Sequence, residues 1–212
     1  MQRSICGVIG HTYFELEQTP SCINYTTIPD NENAEEILRR YLGLNEEYAM
    51  PKDAHFLKVY EKCGGIRLLK QDAIETMFAF ICSQNNHISR ISQMVEHLST
   101  YGSVIHTDEN DNTWHAFPSI ERLADISVDT LRSKKFGYRS KYIVASAKLI
   151  AERGGEDWVE AAAAKDYNEC LADIVSLVGV GRKVADCILS PGLIIVLSEM
   201  REKMRLERTT VL

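Results

Sequence analysis

The spacing of apolar positions changes along the chain. Residues 6–18, CGVIGHTYFELEQ, and 21–28, SCINYTTI, are rich in β-branched and aromatic residues, and Thr19-Pro20 separates them. This pattern predicts two strands of one hairpin. A two-stranded hairpin is marginal alone and needs a larger sheet or a helix to lean on. After Pro29 the spacing becomes helical. Asn33 and Glu36 form an N-x-x-E start, followed by Ile37, Leu38, Tyr41 and Leu42. Asp72 and Glu75 repeat the device. Ile74, Met77, Phe78, Ile81 and Cys82 then recur at i, i+3, i+4, i+7 and i+8, which marks one buried helix face. That pattern stops at Gln84-Asn85-Asn86. A new one, Ile88, Ile91, Val95 and Leu98, runs to Gly102.

Further on, residues 103–116 are polar and predict a loop. Ser119 opens a short helix through Leu123. Residues 139–153 form a longer helix stopped by Gly154-Gly155, residues 167–177 form another, and Val184 to Leu189 continue beyond a glycine pair. Short connections between helices predict a compact α body. The tail begins with Pro191-Gly192, a break signal. Leu197, Met200 and Met204 then make a thin helical stripe, with Glu199 and Lys203 at i, i+4.

Composition changes this picture little. The chain has 212 residues, 45% hydrophobic and 25% charged, which favours a folded core over disorder. Net charge is −6, against a general nucleic-acid binder. Its distribution matters more. Residues 130–151 hold no Asp or Glu but include Arg132, Lys134, Lys135, Arg139, Lys141 and Lys148. They form either a solvated helix surface or one positive face. None of the six cysteines falls in a C-x-x-C pair, so no zinc site is expected and reduced thiols are. No signal peptide is visible, and no apolar run approaches the ~20 residues of a membrane span.

The chemistry concentrates in LVGVGRKVADCI, residues 177–188. A dinucleotide fingerprint would need a preceding strand and a third glycine where Val184 stands. A phosphate-binding P-loop would need a longer spacing and a Lys-Ser/Thr pair. What remains is a helix–hairpin–helix, or a plain corner between helices with glycine for packing. In the first case Gly179 and Gly181 permit a tight turn that presents backbone N–H groups to a phosphate at a helix start. Lys183, in the first turn beyond, is then either a phosphate contact or a nucleophile. An amine attacking a sugar C1′ would expel a base and leave a Schiff base, from which β-elimination cleaves the strand.

Three segments in order carry a family resemblance. LVGVGRKVADCI resembles the helix–hairpin–helix of eukaryotic 8-oxoguanine DNA glycosylases/AP lyases. FICSQNNHISRI (residues 80–91) is similar to that family's Phe-Ile-Cys-Ser-x-Asn-Asn-x-Ile-x-Arg-Ile segment, and GYRSKYI (residues 137–143) to its Gly-Tyr-Arg motif. The likeness covers roughly residues 5–189. It implies a mainly α fold: a helix–hairpin–helix glycosylase core with a remnant N-terminal antiparallel β hairpin, truncated at both ends. The expected division is a β remnant over 1–30, a helical core over 31–189 with the helix–hairpin–helix at 167–189, and a divergent tail over 190–212.

The resemblance also implies roles. Lys183 matches the Schiff-base nucleophile, and Cys187 the residue packed against the flipped base. Asn85 matches the side chain that fills the vacated gap. Arg90 and Arg139 match the arginines that hold the estranged cytosine, Tyr138 the wedge beside it, and Gly179 and Gly181 the phosphate-holding hairpin. His87 departs from a common Asn. The family's Asp, about 19 residues after the lysine in a Val-Asp stretch, has no matching motif here, and Glu199 or Glu202 lies nearest that spacing. The expected activity is therefore excision of 8-oxoguanine with AP-lyase action, impaired by loss of that Asp. The alternative is a non-catalytic damaged-DNA binder or an unstable isoform. The expected partner is double-stranded DNA with oxidised guanine or abasic sites, with no cofactor, metal or membrane, in a monomer of the nucleus or mitochondrion.

Overall fold

A computed structural model describes residues 4–46, 52–63, 67–189, 194–195 and 205–208. Two compact units emerge, and chain segments rather than one cut define them. The first comprises residues 1–70, 105–114 and 191–212. The second comprises residues 71–104 and 115–190.

The first unit is built on a sheet. Strands β1 (Ser4–Ile9), β2 (Thr12–Gln18) and β3 (Cys22–Ile28) pair antiparallel in sequence. The expected single strand over residues 6–18 is therefore two. Gly10 takes φ +59° between them, a left-handed value that lets the chain reverse within two residues. Helices α1 (Ala34–Tyr41) and α2 (Ala54–Cys63) follow. Strand alternation puts Phe14, Ile23 and Tyr25 in one core with Ala34, Leu38 and Leu42 of the α1 region and with Leu69. Residues 31–70 thus pack with the sheet. The expected Asn33 cap is not made by its side chain. Asn31 does the local work instead, its carbonyl accepting from Ala34 N at 3.1 Å and its side chain from Asn33 N at 2.9 Å.

Strand β4 (Arg67–Leu68) comes next in the chain, and β5 (Val104–Thr107) and β6 (Thr113–His115) form a hairpin where a loop was expected. Asp108 closes the turn by accepting from the backbone of Asn110 and Asn112 and from the Asn112 side chain. The buried Tyr13 ring meets His106 at 4.7 Å and Trp114 at 5.3 Å. Burial raises the Tyr13 phenol well above its ordinary value, and the hydrogen bond with Cys6 adds to this. From the tail, β7 (Ile194–Ile195) pairs antiparallel with β4, and β8 (Arg205–Arg208) pairs parallel with β3. The sheet order is β1-β2-β3-β8. The expected stripe Leu197, Met200, Met204, with Glu199 and Glu202, lies outside the described residues.

The second unit is helical. It contains α3 (Ala73–Ser83), α4 (Ile88–Ser99), α5 (Ile120–Ala124), α6 (Val128–Ser133), α7 (Arg139–Arg153), α8 (Glu156–Ala163), α9 (Tyr167–Val175) and α10 (Arg182–Leu189). Capping is local and legible. Asp72 accepts from Glu75 N at 2.9 Å, Ser119 from Arg122 N at 3.3 Å, and Asp166 from Asn168 N at 2.8 Å. Gly154, at φ +119°, ends α7 as expected. Met77, Phe78 and Ile81 of α3, Leu98 of α4 and Ile143 and Ile150 of α7 are fully buried in one core. Ile88 departs from its expected place on the buried face: it is 82% exposed, and α4 packs through Met94 and Leu98. Among the described residues no helix is long and apolar enough to cross a membrane.

Gly102 is fixed by a close approach, since a Cβ there would run into the Ala116 carbonyl. Gly102→Ala should destabilise by about 1–3 kcal/mol through overpacking. Gly7→Ala, where a Cβ meets nothing within 4 Å, should stay within about 0.5 kcal/mol of the parent. Thermal or urea unfolding of the two variants checks the difference.

Candidate nucleic-acid interface

The site is assembled at the C-terminal end of α3. Helix ends leave carbonyls without intrahelical partners, and the last turn carries partial negative charge. Arg139, the first residue of α7, meets both needs. Its Nε donates to the Gln84 carbonyl at 3.1 Å, and one terminal nitrogen donates to the carbonyls of Gln84 and of Asn85, the latter at 3.1 Å. Arg139 is only 4% exposed. Of the six cations in residues 130–151, five are exposed and Arg139 alone is buried. Taken alone, its place in the sequence predicts a surface charge; the structure makes it a helix cap.

Tyr138 joins the same carbonyl. Its hydroxyl donates to Gln84 O at 3.2 Å, and the Arg139 guanidinium lies over its ring at 4.7 Å. The ring stays 46% exposed. Asn85 follows in the left-handed region at φ +46° and is exposed. Asn86 returns its side-chain amide to the Cys82 carbonyl at 3.0 Å and accepts from His87 N at 3.1 Å. So the Asn85-Asn86 pair forms a tight inter-helix turn. Arg90, exposed on α4, donates to the Lys135 carbonyl at 2.8 Å. Lys135 and Gly137 both have positive φ, +67° and +61°, so this contact reaches a strained turn leading into Tyr138.

The glycine hairpin lies between α9 and α10, with no strand entering it. Gly179 has φ +81°, and a Cβ there would overlap the Tyr142 ring. Ser146 donates to the Val178 carbonyl at 2.9 Å, and Gln84 Nε2 donates to the Gly179 carbonyl at 2.7 Å. Val180 is buried, and Gly181 is exposed with room around it. Helix α10 starts at Arg182, two residues earlier than expected, and packs against α3 and α9. Lys183 is exposed in its first turn. Cys187, one turn on, is a free, half-buried thiol. Asp186 accepts from the Tyr167 hydroxyl at 2.5 Å and lies 3.9 Å from Arg182 Nε. That bond to Asp186 raises the Tyr167 phenol above its ordinary value.

Thus Asn85, Tyr138, Arg139 and Gly179 meet through one residue, Gln84, which the sequence marks only as the end of a helical pattern. Tyr142, which fixes the glycine, is likewise unmarked. The arrangement presents a glycine turn at a helix start, an amine in the first turn and an aromatic side chain with two guanidinium groups. It can hold a phosphate and offer a nucleophile beside it. No group of His, Cys, Asp and Glu among the described residues could hold a metal ion.

Known proteins align with this architecture. A family model for the 8-oxoguanine DNA glycosylase N-terminal domain matches residues 1–77. An Arabidopsis thaliana N-glycosylase/DNA lyase, OGG1, is 33% identical over 195 residues, covering 86% of this chain and 53% of the relative. The chain therefore spans about half the length of that relative. The apo 8-oxoguanine glycosylase/lyase of Clostridium acetobutylicum superposes with TM-score 0.75 at 23% identity, covering 89% of this chain and 67% of that one. The complex of that enzyme with double-stranded DNA containing cytosine opposite 8-oxoguanine gives 0.74 at 22% identity, covering 89% and 66%. At that identity the likeness is one of fold.

Beneath the turn, burial pushes the Cys82 thiol up from 9.0 to about 12, with Arg139 pulling the other way. Folding therefore favours the neutral thiol. That contribution is complete below pH 9 and is lost as pH rises from 9 towards 12. Cys82→Ala should unfold more easily than the parent at pH 8, and the gap should narrow by pH 11. A gap in unfolding midpoint that stays constant over this range would contradict the assignment.

Proposed function

We propose that the chain is a member of the 8-oxoguanine DNA glycosylase family, a reading supported by the match over residues 1–77 and by its relatives, and that it grips damaged duplex DNA and forms a covalent imine with it through Lys183. One observation carries this reading: a tight glycine turn leads directly into α10, with an exposed lysine in that helix's first turn. The turn pins a backbone phosphate on N–H groups, where the helix dipole favours an anion and sequence is not read. The amine then lies one nucleotide's reach from the sugar.

Chemistry on a base in a duplex requires its extrusion, which leaves a hole and an unpaired partner. Asn85, exposed in its left-handed turn, fills the hole. Tyr138 wedges beside it. Arg90 and Arg139 take the acceptor edge of an estranged cytosine. A guanidinium has five N–H groups, so each can keep a backbone carbonyl and still reach a base. Cys187 packs against the extruded base one turn beyond the lysine.

On an intact lesion the deprotonated Lys183 amine attacks C1′. The glycosidic bond breaks, its electron pair leaves with the base, and sugar-ring opening gives the imine. On an abasic site the amine condenses with the C1′ aldehyde and releases water. From either imine, loss of a C2′ proton expels the 3′ phosphate, and water then frees the lysine. Base expulsion needs negative charge near the sugar, and at the family's spacing after Lys183 stand Glu199 and Glu202, without the Val-Asp motif around them. Lack of such a stabilising group costs about 100- to 1,000-fold in rate. The abasic route needs less, because the leaving group is already gone. The reading is therefore a glycosylase/lyase whose lyase half dominates, acting on nuclear or mitochondrial DNA.

Borohydride should trap the chain on abasic duplex, and Lys183→Gln should abolish the adduct. Release of 8-oxoguanine from intact duplex should be slight. Trapping that survives Lys183→Gln would remove the lysine from the mechanism. Binding to abasic duplex should weaken steeply with salt. Arg90→Ala should lower the preference for cytosine opposite the gap more than it lowers overall affinity. Equal loss across all four opposite bases would make Arg90 a phosphate contact.

A further inference from the structure

Gln84 touches both halves of the proposed interface with different atoms. Its side-chain Nε2 donates to the Gly179 carbonyl at 2.7 Å, across 95 positions of sequence. Its main-chain carbonyl accepts from Tyr138 Oη at 3.2 Å and Arg139 Nε at 3.1 Å. A second bridge runs parallel. The Tyr142 ring fills the space where Gly179 lacks a side chain, and it meets the Tyr138 ring edge-on at 5.5 Å. The hairpin and the Tyr138-Arg139 turn are thus held in one register from both sides. A carbonyl on a left-handed glycine faces several alternatives, since glycine alone does not restrict its φ. A donor fixed at a helix end selects one of them.

We propose that Gln84 is a positioning residue that couples the phosphate grip of the hairpin to recognition of the base opposite the gap. This rests on the DNA-binding reading above. When the hairpin holds a phosphate, the side-chain amide of Gln84 fixes where that phosphate stands relative to Tyr138 and Arg139. The opposite base then meets its arginines in a set place. Without that amide the hairpin still holds a phosphate, but the reader is no longer aligned with it. Selectivity should fall while the ionic part of binding stays.

The test measures affinity of the 212-residue chain for duplexes with a tetrahydrofuran abasic site opposite each of the four bases. Gln84→Met keeps length and removes the donor. Gln84→Glu offers a donor only when the introduced carboxyl is protonated. Gln84→Met should lower the cytosine-over-adenine preference about fivefold, the worth of one neutral hydrogen bond, and leave the salt dependence of binding unchanged. Gln84→Glu should show the same loss at pH 8 and regain part of the parental preference as pH falls to 5, since the facing Gly179 carbonyl favours the protonated carboxyl, whereas the Met variant should not recover. A merely structural defect would not respond to acid in this way. A Met variant that keeps the parental preference, or a Glu variant whose preference ignores pH, overturns the coupling while the DNA-binding reading stands. A parent chain that binds abasic duplex no better than intact duplex overturns both. If the Met variant fails to fold, the acid series on the Glu variant decides alone.

Discussion

The helical unit depends on how one helix end is satisfied. Helix α3 is among its most buried elements, and its C-terminal carbonyls must find donors away from water. They find a buried guanidinium. That contact brings the start of α7 against the end of α3. The left-handed Asn85 turn, the Tyr138 ring over the guanidinium and the Arg90 contact to the neighbouring turn all adjoin it. The groups that would meet DNA therefore belong to the helix packing itself and are not a layer added to a finished scaffold.

On the proposed function, stability and recognition share atoms here. Removing Arg139 would take the Asn85 carbonyl's guanidinium donor away and leave the Gln84 carbonyl only the Tyr138 hydroxyl, as well as deleting the proposed base contact, and each lost hydrogen bond of this kind costs about 1–3 kcal/mol. Arg90, exposed and tied to a single carbonyl, separates the two roles more cleanly. Lys183 separates them fully, because it stands at the surface of α10 while the hairpin behind it is fixed by Gly179, Val180 and Ser146.

Much of this was legible in the residues. The stripe from Ile74 to Cys82, the caps Asp72 and Ser119 and the stop at Gly154 predict their elements, because each is a local signal with a local cause. The glycine pair followed by Lys183 predicts the turn for the same reason. What escaped has physical reasons too. Gly10 splits a strand that propensity reads as continuous. The polar run 103–116 folds into a hairpin against Tyr13, a partner some 90 positions away. Ile88 is apolar yet faces out, since it is the first residue of α4 and that helix packs through Met94 and Leu98 instead. The burial of Arg139 leaves no trace in spacing, because its partners are main-chain carbonyls, which every residue carries. Gln84 is hidden likewise: its side chain answers to a glycine carbonyl.

The parallel pairing of β3 with β8 has a bearing on how the chain is made. Cys22 lies beside Arg205, so β3 emerges from the ribosome long before this neighbour. Throughout synthesis that strand offers an open row of N–H and C=O groups, the kind of border that recruits other extended chains. The helical unit, by contrast, draws only on residues 71–104 and 115–190 and closes on itself without the tail. Nascent chains are thus exposed to strand-swapped association through β3 and not through the hairpin that carries Lys183. Chaperone demand should track translation of β8 rather than assembly of the glycine turn.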